Sequence, residues 1–275
     1  MKNRPILKNV LCFLVCIFFT AILLPAAFAT SVPVKCERYT VRIQEHFRVP
    51  YSGQYAEKFP KGISFGAGSG LCLKQQRGNG LIEFYTVTDR GPNTDGPKYL
   101  TGDSSSKLFP TSDFVPSFAT LRLIRPSRLA SISRVYPLKN NDGSDSSGLP
   151  IPPGLVGSTN EIPLDDNFSL LPFDENGIDP EGIAVDAHQN FWICDEYGPF
   201  ILKYDRRGVL LEKYAPGQGL PEVLKHRIPN RGFEGITIAP NGKVYAAVQS
   251  VLDINGETSK KALFTRIIEL DPTTG

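Results

Sequence analysis

Apolar positions beyond residue 30 fall in short runs with no helical spacing: residues 39–43, 82–87, 119–124, 191–194, 201–204, 244–248 and 266–270. Each run is bounded by Gly, Pro, Asn or Asp, the residues that supply the tight turns of an all-β chain. No long amphipathic stretch is present, and residues 221–226 offer at most two helical turns. The pattern predicts an all-β protein.

Two of these segments are nearly the same. Glu181-Gly182-Ile183-Ala184-Val185 leads to Trp192, and Glu234-Gly235-Ile236-Thr237-Ile238 leads to Tyr245, with both the glutamates and the aromatics 53 residues apart. Self-similarity near that period predicts a β-propeller built from repeated four-stranded blades, each burying its faces against its neighbours. In the better copy the strands are expected at 182–185, 191–194, 201–204 and 209–214. The later copy turns at Asn241-Gly242, a dipeptide that tolerates positive φ at both positions of a hairpin. A more divergent copy is expected from Gly62-Ile63-Ser64-Phe65 to Tyr85-Thr86-Val87-Thr88-Asp89, with an insertion between. Residues 137–177 are polar and carry Pro150, Pro152 and Pro153, so they read as a long surface connection. The sequence stops at a turn just after a strand, and the propeller is therefore expected to be incomplete at its C-terminus.

The first 29 residues read as a signal peptide. Lys2, Arg4 and Lys8 precede an apolar run over 10–24, and Ala27-Phe28-Ala29 presents small residues at a cleavage site. The run is shorter than a spanning helix needs. A secreted, periplasmic or extracellular protein follows, with residues 30–275 as its single domain and no membrane span once the signal is removed. Without the three basic signal residues the chain is close to neutral, which excludes a strongly basic nucleic-acid surface. Of the remaining cysteines, Cys36 and Cys72 are the pair expected to bridge, and Cys194 reads as a buried free thiol.

Four motifs stand in order: Thr88-Asp89-Arg90-Gly91-Pro92-Asn93, Asp179-Pro180-Glu181-Gly182-Ile183-Ala184, Trp192-Ile193-Cys194-Asp195-Glu196-Tyr197-Gly198-Pro199, and Asn230-Arg231-Gly232-Phe233-Glu234-Gly235. Together they closely resemble the phytase-like β-propeller family, whose members are described as esterase-like proteins of the phytase group. The resemblance covers the chain from about Gly62 onward. It implies an exported propeller and a calcium-using hydrolase of phosphoesters or related esters. The Asp-Asp-Pro-Ala run of alkaline phytases has no counterpart here, so phytic acid is not implied as the substrate.

The residues themselves suggest where such chemistry would sit. Asp89 and Asp195 close equivalent strands while Glu181 and Glu234 open equivalent strands, so radial symmetry would bring them to one end of a channel. With Glu196 they form a candidate metal set of Asp89, Glu181, Asp195, Glu196 and Glu234, suited to a hard divalent cation such as calcium. Glu181, Asp195 and Glu234 are the candidate catalytic carboxylates, and Arg90 and Arg231 the candidate grips on a small phosphoester or ester substrate. The same acids can instead hydrogen-bond backbone amides of the adjoining unit and hold blades together. A non-catalytic propeller that binds a ligand or partner, and a lactonase-like propeller with a single metal, therefore stay open. Gly62-Ile63-Ser64-Phe65-Gly66 matches a nucleophile-elbow pattern, but the glycines that follow exclude the helix which that motif requires. Three histidines, His46, His188 and His226, make a histidine metal site unexpected.

Overall fold

The computed structural model describes residues 35–98 and 104–273; the expected signal peptide lies outside them. Two units are distinguished, Met1–Arg38 and Tyr39–Gly275, and the second holds every strand. In chain order these are β1 Thr40–Arg42, β2 Gly70–Gln76, β3 Leu81–Val87, β4 Thr94–Asp95, β5 Ser106–Leu108, β6 Ser117–Ile124, β7 Leu129–Pro137 and β8 Ile162–Leu164. They continue with β9 Pro180–Val185, β10 Phe191–Asp195, β11 Phe200–Tyr204, β12 Leu210–Pro216, β13 Gly219–Leu220, β14 Phe233–Ile238, β15 Val244–Val248 and β16 Ile267–Leu270. The only helices among the described residues are short 3-10 turns, including Glu222–His226 where the sequence offered its weak helical signal.

The first sheet is an antiparallel meander β2-β3-β6-β7 with β1 added in parallel to β7. The second is the meander β9-β10-β11-β12, extended by the two-residue β13. A third, β14-β15-β16, has three strands, and β4-β5-β8 form a small separate sheet. No sheet among the described residues closes on itself. The offset of 53 residues carries β9 onto β14 and β10 onto β15 with identical ends. The correspondence stops after these two strands, because a loop with a 3-10 turn at Ile254–Gly256 precedes β16.

Side-chain alternation along β10 explains how the sheets stack. Phe191 and Ile193 pack with Val87 and Phe118 of the first sheet, whereas Trp192 and Cys194 pack with Val244, Ala246 and Val248 of the third. Both faces of β10 are thus covered, which is why its sequence is apolar without alternation. Phe118 is stacked between Phe191 at 4.1 Å and Tyr136 at 4.6 Å. The far side of the first sheet is covered by Phe65, Phe47 and Ile43.

The Glu-Gly-Ile motif has a packing reason. The first strands of the three sheets lie side by side, with β9 between β2 and β14. A Cβ added to Gly70 would sit 2.8 Å from backbone atoms of Gly182 and Ile183, and one added to Gly182 would sit 3.1 Å from Ile236 N. Glycine permits this backbone-to-backbone approach. Gly70→Ala is expected to cost about 1–3 kcal/mol by overpacking. Gly235→Ala, where an added Cβ meets nothing within 4 Å, serves as the control. Equal denaturant midpoints for the two variants would contradict this account.

Three expectations are corrected. The segment opening at Gly62 is not a strand: Ile63 makes one bridge to Val49, and the segment goes on to place Phe65 over the first sheet, while β2 takes the inner position. Residues 137–177 do not drape over the surface; Leu138, Leu149, Ile151 and Leu164 are buried. Cys36 and Cys72 are free thiols, so the expected bridge is absent, while Cys194 is a buried free thiol as expected.

Candidate functional site

The site is built where β9 begins and β10 ends. Pro180 opens β9 and has no N–H to contribute to the ladder. Opposite it the register shifts between Cys194 and Asp195, and this irregularity turns the Asp195 carboxylate inward. There Asp195 Oδ2 accepts the Asp179 N–H at 2.6 Å and Oδ1 accepts the Gly198 N–H at 2.7 Å. Glu196 N donates to Asp179 O at 2.9 Å. Asp195 is fully buried and ties the approach to β9 to the loop after β10. Burial pushes its carboxyl up to about 6, against the pull of those two amides.

Above this clamp, Asp179, Glu181 and Glu196 each offer a carboxylate oxygen, and the three lie within 4.8 Å of one another. Burial is the largest influence on all three. It raises Asp179 to about 7, with Arg90 offsetting part of the effect. Glu181 is raised to about 9, with Asp179, Glu234, Glu196 and Asp89 adding repulsion. Glu196 is raised to about 8, with Asp179 and Glu234 adding repulsion and Arg90 opposing it. Three like charges held this close in a largely buried setting favour the protonated form. A bound cation would reverse that preference.

Arg90 is the counter-charge beneath the group. It is buried, with Nε 3.3 Å from Asp179 Oδ2, Nη1 2.9 Å from Glu161 Oε2, and its guanidinium 5.5 Å above the Tyr197 ring. Its own N–H donates to Asp179 Oδ1 at 3.0 Å. The neighbouring carboxylates hold Arg90 above its ordinary pKa despite its burial. Arg227 supports the same loop from below, donating to Tyr197 O at 2.6 Å and Ser158 O at 3.0 Å.

The structure therefore sorts the predicted residues. Glu181 and Glu196 come together, with Asp179 as the third member. Asp89 is half-buried and accepts the Gly91 N–H at 2.9 Å. Glu234 is exposed on β14, within electrostatic reach of Glu181 and Glu196. Asp195 and Arg90 are buried below, with their polar atoms engaged by the protein. Arg231 is exposed on the turn before β14, and that turn is joined to the site by Gly232 N donating to Glu196 O at 3.0 Å. Among the described residues, no hydrogen bond or ion pair is made by the carboxylates of Glu181, Glu196 or Glu234, in contrast to Asp179 and Asp195.

Asp179 and Glu161 were missed as site residues. Asp179 had a signal: it lies two positions before Glu181, ahead of a proline that must leave the ladder. Glu161 had none, since it stands in the irregular connection and reaches Arg90 only through the tertiary fold.

Among the described residues no helix is long and apolar enough to cross a membrane. A protein from Arthroderma benhamiae named as an uncharacterized secreted protein is 25% identical over 240 residues, covering 71% of this chain and 46% of that protein. The chain thus spans about half the length of the curated relative it matches. The sequence model of the phytase-like family matches residues 63–275, a span that takes in all four motifs and every residue of the acidic site. The chain belongs to the phytase-like family described as having the esterase-like activity of phytase.

Proposed function

We propose that this chain is part of an exported β-propeller hydrolase that cleaves phosphoesters or related esters with a divalent cation, calcium, held by Asp179, Glu181 and Glu196. The observation that carries the reading is the convergence of three carboxylates within 4.8 Å, two of them with no hydrogen-bond or ion-pair partner among the described residues. Their all-oxygen donor set suits a hard cation and not zinc or copper. Side-by-side first strands in three successive meanders support the propeller. Export is supported by residues 1–29, and the relative's description as secreted agrees with it.

Each residue then has a defined task. Asp179, Glu181 and Glu196 hold the cation, which when bound supplies Lewis-acid polarisation of the ester and acidifies a water. Asp195 fixes Asp179 and the loop after β10 through its two amides. Arg90 offsets from below part of the burial effect that raises Asp179, and does not reach the open face. Arg231, exposed beside the Glu196 carbonyl, is the cation available to meet a phosphate. Glu234, exposed and unpaired, is the carboxylate available to take a proton from attacking water.

The direct test is turnover of p-nitrophenyl phosphate and p-nitrophenyl acetate by the purified chain. Calcium is expected to support hydrolysis of at least one, with a chelator abolishing it and magnesium substituting poorly because it dehydrates reluctantly. No turnover with calcium, magnesium or manganese would favour a binding propeller instead.

A further inference from the structure

We propose that a preformed pocket beside Asp89 receives the uncharged, ring-sized alcohol portion of the ester, so that the natural substrate is a monoester of a small apolar alcohol and not a polyphosphorylated one. This inference rests on the hydrolase reading above and specifies its substrate class. The pocket lies between the 63–66 segment and the 89–93 loop, with Val49, Ile63, Pro92 and Phe114 as its apolar lining. Its volume is about 260 Å³. A cavity of about 150 Å³ holds benzene, and sites for drug-sized ligands begin near 300 Å³, so one ring fits and two do not.

Both walls are held by contacts within the protein. On one side Val49 and Ile63 exchange backbone hydrogen bonds at 2.9 and 2.8 Å. On the other, Gly91 adopts φ 103° with its Cα against the Phe114 ring, where an added Cβ would lie 2.2 Å from Cδ1. Only glycine fits there without displacing Phe114.

The pocket meets the acidic group through Asp89. Asp89 lines it and lies within electrostatic reach of Asp179 and Glu181, and the next residue, Arg90, donates its N–H to Asp179. An ester held at the carboxylates would therefore direct its leaving alcohol into this space. Among the described residues no lysine, arginine or histidine lines the pocket, whose polar lining is Ser64, Asn93 and Asp89, and the Arg90 guanidinium is turned away to Asp179 and Glu161. A second phosphate entering it would meet the Asp89 carboxylate and no counter-charge, which disfavours polyanions.

Gly66 supplies the test. It lines the pocket, its φ is not left-handed, and an added Cβ meets nothing within 4 Å. The backbone there accepts a side chain, and a leucine adds apolar bulk at the pocket lining. Benzyl and methyl phosphate have leaving alcohols of similar acidity and differ in the ring. With the calcium-loaded chain, Gly66→Leu is expected to raise KM for benzyl phosphate roughly tenfold or more while leaving methyl phosphate unchanged. Binding of benzyl alcohol, followed by NMR, needs no turnover: it should occur in the wild type and be lost in Gly66→Leu.

Unchanged benzyl alcohol binding in a folded Gly66→Leu, or a wild type that binds none, overturns the assignment. So does wild-type preference for inositol hexakisphosphate over benzyl phosphate. Should the variant fail to fold, wild-type affinity for benzyl alcohol no greater than for methanol overturns it equally. Ring binding that Gly66→Leu blocks, in a protein with no esterase turnover, would keep the pocket and reject the hydrolase.

Discussion

Replacing Arg90 by methionine is expected to destabilise the protein by about 3–5 kcal/mol, the range for removing one partner of a buried ion pair. The guanidinium sits between Asp179 and Glu161, at 3.3 and 2.9 Å, and is itself buried. Methionine fills similar volume, so the loss is electrostatic: Asp179 is left beside Asp195, Asp89 and Glu181 with no positive charge in contact. For a unit of this length the loss corresponds to a fall in Tm on the order of 10 °C. Arg90→Lys should fall between the two, since an ammonium keeps the charge but cannot span both carboxylates as the fork does. A methionine variant within about 1 kcal/mol of wild type would show that the pair is solvated and that Arg90 is not the counter-charge of the site.

Arg90 also shows how much of this arrangement is legible in the sequence. Position beside Asp89 in a turn marks it as a candidate, but nothing local says whether its side chain faces outward or into the interior. Glu161 decides the matter, and it comes from the irregular 137–177 connection, whose prolines and polar residues read as surface. The strands that were legible are those where apolar residues follow one another, such as β10, buried on both faces, and β15, buried on one and half-buried on the other. β7 was not legible, because Ser131, Ser133 and Arg134 interrupt the residues that pack inward, Ala130, Ile132, Val135 and Tyr136. β2 was hidden for the same reason by Lys74, Gln75 and Gln76. The paired Glu-Gly-Ile segments mark the same register in β9 and β14; strand contact explains Gly182, whereas nothing crowds Gly235. Glu181 and Glu196 were found because they flank such strands. Asp195 was found too, but its burial and two amide partners make it a support for the site.

The double variant Glu181→Gln, Glu196→Gln is expected to be more stable than wild type in chelator at pH 9 and to lose its response to calcium. Both glutamates have folded pKa values above their ordinary range, at about 9 and about 8. A carboxyl raised in this way adds stability that is fully present below its unfolded pKa and is lost as pH rises through the folded value. Cation-free wild type should therefore lose stability as the pH climbs from about 5 to about 9, and the variant should show a flatter profile. Glu181 is half-buried and Glu196 buried, and screening by the solvent that reaches Glu181 holds the gain at pH 9 to about 1 kcal/mol, or about 2–4 °C in Tm. Calcium at about a hundredfold excess over its Kd should restore roughly 2.7 kcal/mol to the wild type and nothing to the variant. The competing assignment, in which these glutamates hold blades together through backbone amides, predicts the opposite sign in chelator. Glutamine offers one carbonyl oxygen where the carboxylate offers two charged ones, so a structural acceptor would be weakened at every pH. A Tm below wild type across the whole range, measured in chelator, would assign the carboxylates to the fold, while a calcium response retained by the variant would move the cation elsewhere.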